Sequence, residues 1–178
     1  MSETEKVKLN DVNIEQVKDL TDKIIKNPEI AKTKWEAQVI WKGGFRAEAK
    51  IKEFELITSD EPFGLGGTNT APNPIEQVLA ALGNCLVVGY AANATAAGIN
   101  IKALSITLEG DIDLHTFLGL NESNAGYSGI SVKVNIDTDA SDIDVKAVHE
   151  KVIRTSPVGQ TLTKPVPVNI KLSSTQKA

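Results

Sequence analysis

The sequence predicts an α+β fold: a mainly antiparallel sheet packed against one long, buried helix. Three observations carry this. Residues 34–52 alternate apolar and polar side chains around Gly43-Gly44, and residues 77–97 run without a single charge. Alternating stretches then resume on both sides of a second helical segment.

A chain of 178 residues suffices for one domain with a sizeable core. Its 19 lysines and arginines stand against 23 acids, a formal charge of -4 with no long basic run. Nucleic-acid affinity needs clustered cations, so a nucleic-acid partner is not expected. The single cysteine, Cys85, cannot form an intrachain disulfide. Met1–Lys8 is charged and lacks an apolar signal core, so the expected compartment is the cytoplasm. Val78–Ala97 is long enough to span a bilayer, but it holds Asn84, Asn93, Thr95, two glycines and many alanines. It reads as a core helix, and no membrane partner is expected.

Taken in order, residues 1–30 form a helical extension and residues 31–178 the main domain. Asn13 is placed to cap a helix, with Gln16 three positions on and Ile14, Val17, Leu20 and Ile24 at helical spacing. Trp35–Trp41 and Phe45–Ile51 flank the Gly-Gly turn as a β-hairpin, and the phase slips at Glu53 before Phe54 and Leu56. Ser59–Pro72 is a loop containing Gly64, Gly66 and Gly67, without the Gly-Lys-Ser/Thr ending of a phosphate loop.

Asn73-Pro74-Ile75-Glu76 combines a cap, a first-turn proline and a capping-box glutamate, and opens the long helix. Gly98 ends it, and its apolar residues keep to no single stripe, which predicts burial on most sides. A strand over Leu104–Leu114, a loop over Asn121–Tyr127 and a strand over Ile130–Ile136 follow. Ser141 with Asp144 opens a second helix, Ser156-Pro157 a short helical turn, and Val166–Leu172 a closing strand.

Three places could carry chemistry. Cys85 is the only thiol; a free cysteine is usually a small hydrophobe, and reactivity needs access and a nearby cation, for which Arg46 and Arg154 are the only arginines. Asp111, Asp113 and His115 would share one strand face, but a stripe with one imidazole reads as the solvated side of a sheet, so no metal is expected. His149 reads as a surface histidine, with no Ser-His-Asp pattern to be argued from spacing.

Several motifs together resemble the OsmC/Ohr family of osmotically inducible and organic-hydroperoxide-resistance proteins. They are Asp60-Glu61-Pro62, Leu65-Gly66-Gly67, Ala71-Pro72-Asn73-Pro74-Ile75-Glu76, Leu79-Ala80-Ala81-Leu82-Gly83-Asn84-Cys85, Gly98-Ile99 and Ser156-Pro157-Val158. The resemblance implies an intertwined homodimer with the long helices at the interface and two thiol sites there. It also implies that Cys85 is the thiol that attacks an organic hydroperoxide, with Arg46 and Glu76 as its catalytic partners. Arg46 and Glu76 each stand one position away from the family's arginine and glutamate. Ser156 occupies the place of the resolving cysteine and cannot form a disulfide.

Two functions are therefore expected. One is a one-cysteine peroxidase whose sulfenic acid is reduced by an external thiol, with no cofactor. The other is a non-catalytic dimer that binds a small hydrophobic or thiol-containing ligand in the interface cleft. A third possibility, an N-terminal helix that docks a partner, concerns residues 1–30 alone.

Overall fold

Caps and alternation fix most element boundaries. The computed structural model describes residues 8–174; all but the last residue of the charged Met1–Lys8 stretch lies outside them. The hairpin forms as expected: β1 (Gln38–Trp41) and β2 (Ala47–Lys50) pair antiparallel with Val39 opposite Ala49, and β3 (Ile57–Ser59) adds to β2. A second sheet pairs β4 (Ile101–Gly110) antiparallel with β5 (Ile130–Thr138), Leu104 opposite Ile136. The helices are α1 (Ile14–Lys26), α2 (Pro74–Ala96), α3 (Leu114–Phe117), α4 (Asp142–Thr155) and α5 (Pro157–Thr163).

The class is α+β, but the sheet is divided. Among the described residues β1–β3 and β4–β5 do not pair with each other. The smaller sheet is tied to the first turn of α2 by the Gln77 side-chain amide, which donates to Thr58 O at 2.9 Å and Pro72 O at 3.0 Å. Trp35, Val39, Trp41, Phe45 and Phe54 around it are all exposed.

The core lies between α2, the β4–β5 sheet and α4. Leu82, Leu86, Tyr90 and Ala94 of α2 meet Val148 and Val152 of α4, with Leu104, Ile106, Leu108, Val134 and Ile136 packed against them. Each such side chain removed from water contributes about 1.5–3 kcal/mol before the entropy of ordering is subtracted. The two helix glycines explain the closeness of the layers. A Cβ at Gly83 would sit 2.9 Å from Leu108 Cδ1, and one at Gly89 would sit 3.0 Å from Val152 Cγ1.

Burial of α2 is one-sided, which corrects the expectation of burial on most sides. Leu82, Gly83, Leu86, Tyr90, Ala94 and Thr95 face protein, while Ala80, Ala81, Asn84, Val87 and Val88 are exposed. The reason is coverage: β4, α4 and α5 approach from one side. The ends of the helix are as read. Asn73 and Glu76 form a reciprocal capping box. Ile99 N donates to Ala94 O and Gly98 N to Thr95 O, with Gly98 at φ +74°, a Schellman ending.

One expected strand is cut short and another does not form. The run through Leu114 stops at Gly110, because the Asp113 side chain accepts from His115 N at 2.9 Å and caps α3. Asp111, Asp113 and His115 therefore do not share a strand face. Residues 166–172 form no strand, and Ile170 and Leu172 are almost fully exposed. Alternation supplies one face of a strand, but a strand also needs an edge to pair with, and among the described residues this segment pairs with none.

The N-terminal helix forms where expected, with the Asn13 side chain accepting from Gln16 N. What seats it is a residue without any sequence signal. Asn10, in the left-handed region at φ 53°, donates from Nδ2 to Thr95 Oγ1 (3.0 Å) and Ile99 O (2.9 Å), and its Oδ1 accepts from Ile101 N (2.8 Å). One side chain thus joins the extension to the end of α2 and the start of β4.

Ahead of α2, Asp60 is buried and organises the glycine-rich loop. Its carboxylate accepts from Glu61 N (2.8 Å), from the amide and hydroxyl of Thr68 (3.1 and 2.5 Å), and from those of Thr70 (3.1 and 2.9 Å). The Thr68 hydroxyl above all holds this carboxyl well below the usual range, outweighing the opposing effect of burial; the Thr70 and Glu61 amides add to it. Gly67 lets the loop close, since a Cβ there would fall 1.9 Å from Glu61 O.

Two outcomes are expected from these contacts. Asn10→Ala should cost about 1–3 kcal/mol in urea unfolding, because it strands the Ile101 amide and the Ile99 carbonyl; an unchanged midpoint would show that the extension is not seated this way. Asp60→Asn puts an amide NH2 or a neutral oxygen where donors converge, so it should be less stable at neutral pH. Because the folded carboxyl is depressed, its stabilisation is present above the unfolded value of about 4 and fades as pH falls toward the folded one. The gap between wild type and variant should therefore narrow in acid, and a gap that stays constant would dissociate the charge from stability.

Candidate active site

Cys85 lies midway along α2, half-buried, on the border between the inner face and the exposed Ala81–Asn84–Val88 face. Its Sγ is 3.2 Å from Ser156 Oγ. Ser156 is placed by two helices at once. Its amide closes α4 by donating to Val152 O at 2.9 Å, and its hydroxyl caps α5 by accepting from Gly159 N at 3.1 Å. Pro157 at the first helical position and a glycine at 159, where a Cβ would sit 3.0 Å from Ser156 Oγ, make room for that cap.

Ser156 is only 4% exposed. One lone pair of its hydroxyl is taken by the Gly159 amide, and the same oxygen lies in hydrogen-bond contact with the Cys85 sulfur, either atom able to donate. The cap expected of Ser156 is thus present, and the same atom also touches the thiol.

The other two expected residues are not brought to Cys85 within one chain. Arg46 is exposed in the turn between β1 and β2, and it makes no ion pair or side-chain hydrogen bond among the described residues. Glu76 is exposed and caps α2, its Oε2 accepting from Asn73 N at 2.8 Å. Nine residues of helix separate it from Cys85 by roughly 13 Å along the axis. Its carboxylate does reach the environment of Tyr127, whose hydroxyl is pushed up by burial first and by Glu76 second. The Tyr127 hydroxyl donates to Ile75 O at 2.8 Å.

A second polar pair lies further along the same helix face. Tyr90, 2% exposed, hydrogen-bonds His149 Nδ1, and the two rings stack with centroids 6.0 Å apart. Burial pushes the Tyr90 hydroxyl up from its ordinary value. His149 is therefore not the surface histidine expected from its charged neighbours. Spacing on α4 could have hinted at this, because His149 follows the core residue Val148 and precedes Val152 by one turn less one residue. Ser156, Tyr90 and His149 all line one cavity of about 770 Å³.

Comparison with known proteins gives the fold a context. The family model described as OsmC-like protein matches residues 67–171. The OsmC-like protein of Mycoplasma pneumoniae superposes with a TM-score of 0.64 at 21% identity, covering 74% of this chain and 89% of that one. An organic hydroperoxide resistance protein OsmC from Legionella pneumophila gives 0.54 at 16% identity, covering 74% and 91%. One from Elizabethkingia anophelis gives 0.53 at 20% identity, covering 72% and 89%. No curated protein matches the chain. At these identities the structures speak to fold, and the family match, which spans more than half of the sequence and contains both Cys85 and Ser156, speaks to descent. The chain belongs to the OsmC-like protein family.

Proposed function

We propose that this protein reduces organic hydroperoxides through Cys85, as a one-cysteine enzyme that depends on an external thiol. The observation that carries the reading is the 3.2 Å contact between the half-buried Cys85 sulfur and the buried Ser156 hydroxyl. It sets a hydroxyl against the sulfur and puts an oxygen where a second thiol would be needed for an internal disulfide. Solved relatives named as organic hydroperoxide resistance proteins support it.

The chemistry balances without a cofactor. The Cys85 thiolate attacks the distal oxygen of ROOH; the S–O bond forms, the O–O bond breaks, and RO⁻ leaves to take up a proton as ROH. The sulfur is now a sulfenic acid. An external thiol attacks it, releasing water and leaving a mixed disulfide. A second thiol returns Cys85 to the reduced state as the external disulfide departs. Dependence on a thiol supply suits the reducing cytoplasm, the compartment this reading assigns to the protein.

A second copy of the chain completes the site in this reading. The outer face of α2 leaves Val87 and Val88 to water, and Val39, Ile40, Trp41 and Ile57 of the β1–β3 sheet are exposed as well, the kind of surface that a partner copy would cover. Antiparallel pairing of two α2 helices would bring Glu76 of one copy toward Cys85 of the other, a reach that Glu76 lacks along its own helix. Arg46 is available to the same arrangement because no described residue of its own chain pairs with its guanidinium.

The alternative, a non-catalytic binder, rests on one observation: neither arginine hydrogen-bonds Cys85 within the chain. Turnover separates the two. With a dithiol reductant, wild type should reduce an organic hydroperoxide at least roughly a hundredfold faster than Cys85→Ser; equal rates would sink the peroxidase. In Ser156→Cys, one equivalent of hydroperoxide should be reduced to alcohol and water as Cys85 and the introduced thiol close an intramolecular disulfide, visible by mass, whereas wild type should instead trap the added thiol. For the assembly, Val88→Glu alters a side chain that is 69% exposed and so should not disturb the chain's own core. It should move the protein from dimer to monomer in light scattering, and a wild type that is already monomeric would remove the partner from the site.

A further inference from the structure

Two glycines and one aromatic residue precede the arginine that the proposed function calls on. Gly43 and Gly44 both take positive φ, +96° and +59°, in the turn between β1 and β2. Glycine is the least restricted residue, so a turn built on two of them does not by itself fix the side chain that follows. The hairpin has bonds of its own: Arg46 N donates to Gly43 O at 3.2 Å, Lys42 N to Arg46 O at 2.9 Å, and Trp41 Nε1 to Gly44 O at 2.8 Å. These close the turn on itself, and none of them ties its tip to the rest of the chain.

What the tip touches outside the hairpin is the glycine-rich loop. A Cβ on Gly66 would fall 3.2 Å from Phe45 Cε2 and 4.0 Å from Phe45 Cδ2, so the ring lies against the bare backbone of Gly66. Gly66, at φ +86°, ends the short 3-10 turn Phe63–Leu65, and its amide donates to Phe63 O at 3.0 Å. This seat is tied down on both sides. Gly67 N donates to Pro62 O at 3.2 Å and Asn69 N to Glu61 O at 3.0 Å, while the buried Asp60 carboxylate gathers the amides and hydroxyls of Thr68 and Thr70. Phe45 is 57% exposed, so the contact holds the turn without making the ring part of the core.

We propose that Phe45 is a positioning residue for Arg46: seated on Gly66, its ring fixes the tip of the β1–β2 turn to the loop that leads into α2, and so sets where the guanidinium is presented. The inference rests on the reading that Arg46 serves the thiol of a second copy, and it adds what holds the arginine in place. Arg46 needs such an anchor, because its guanidinium makes no ion pair or side-chain hydrogen bond among the described residues. Its backbone is therefore the only part of it that the chain can fix, and the adjacent Phe45 is where that happens. The Leu65-Gly66-Gly67 motif gains a task beyond turning the chain, since a Cβ at Gly66 would press on the ring. Misplacing a charged group by about 1 Å can cost roughly a hundredfold in rate, so a contact this small can matter.

The test is a double-mutant cycle on turnover of an organic hydroperoxide by the full chain with a dithiol reductant. Phe45→Ala should lower kcat about tenfold with KM unchanged, because a misplaced charge is lost chiefly from the transition state. In an Arg46→Ala background the same change should cost nothing further. Phe45→Tyr, which keeps a ring on Gly66, should retain the wild-type kcat, and the circular dichroism of Phe45→Ala should match wild type. Independent of turnover, the ring should displace the Gly66 α-proton resonances, and Phe45→Ala should abolish that displacement. A wild type without turnover, or an Arg46→Ala variant as fast as wild type, removes the reading on which this inference rests, and the inference with it. If Arg46→Ala slows turnover while Phe45→Ala does not, or if the two losses add in full, Phe45 does not act through Arg46 and this inference alone falls. Gly66 resonances that Phe45→Ala leaves in place would overturn it as well, by showing that the ring does not rest there.

Discussion

The α2 helix is apolar around its circumference, and one chain covers one side of it. That mismatch governs the rest of the molecule. The covered side sets the core: Gly83 and Gly89 drop their side chains so that Leu108 of β4 and Val152 of α4 can approach, and Leu82, Leu86 and Tyr90 fill the space between. The uncovered side leaves Ala80, Ala81, Asn84, Val87 and Val88 to water. Without charges on that side, the helix has no means of its own to make the exposure cheap. The β1–β3 sheet has the same problem in another form, since three short strands with exposed tryptophans enclose no core. The proposed second copy is the partner that would cover both surfaces.

Cys85 sits on the seam between those two sides, and this position explains its chemistry better than its helix does. Midway along α2 it gains nothing from the helix dipole, which acts within the first turn. Its help comes laterally, from Ser156 at the junction of α4 and α5. Because that junction fixes Ser156 by its backbone amide and by its cap, the hydroxyl is held by structure that does not depend on the thiol. The distance to sulfur is therefore a property of the fold.

Local signals were the legible part of the sequence. Caps are short-range, so Asn13, Asn73 with Glu76, Ser141 and Ser156 were each found from a few neighbouring residues, and the Gly43-Gly44 hairpin likewise. Failures came where a partner far along the chain decides. Alternation at 166–172 specifies a face and says nothing about an edge to pair with. The extended reading of 111–115 lost to a single local bond from Asp113, which competes with a strand ladder by offering the His115 amide an alternative. Asn10 joins residues some ninety positions away, and the Tyr90–His149 pair joins two helices; neither contact leaves a periodic trace. The thiol and its serine were legible only through the family resemblance, because nothing in spacing places residue 156 beside residue 85.

The same distinction bears on what the site can select. A charged substrate group is recognised by a countercharge, and countercharges are visible in composition. Here the inner face of α2 meets a wall without charge, and the arginine and glutamate that the family resemblance supplies lie outside it, on the hairpin turn and on the capping box. The inner wall carries hydroxyls, an amide and one imidazole among its hydrocarbon, and no charge. A hydroperoxide suits that division. It is neutral when it arrives, so its chain can enter an uncharged space at little electrostatic cost. It becomes an anion only as the O–O bond breaks, and at that moment a permanent guanidinium charge is worth most. On the reading proposed above, a site without charge inside would discriminate against substrates that carry their charge from the start, and a guanidinium brought in by a second copy would act chiefly in the transition state.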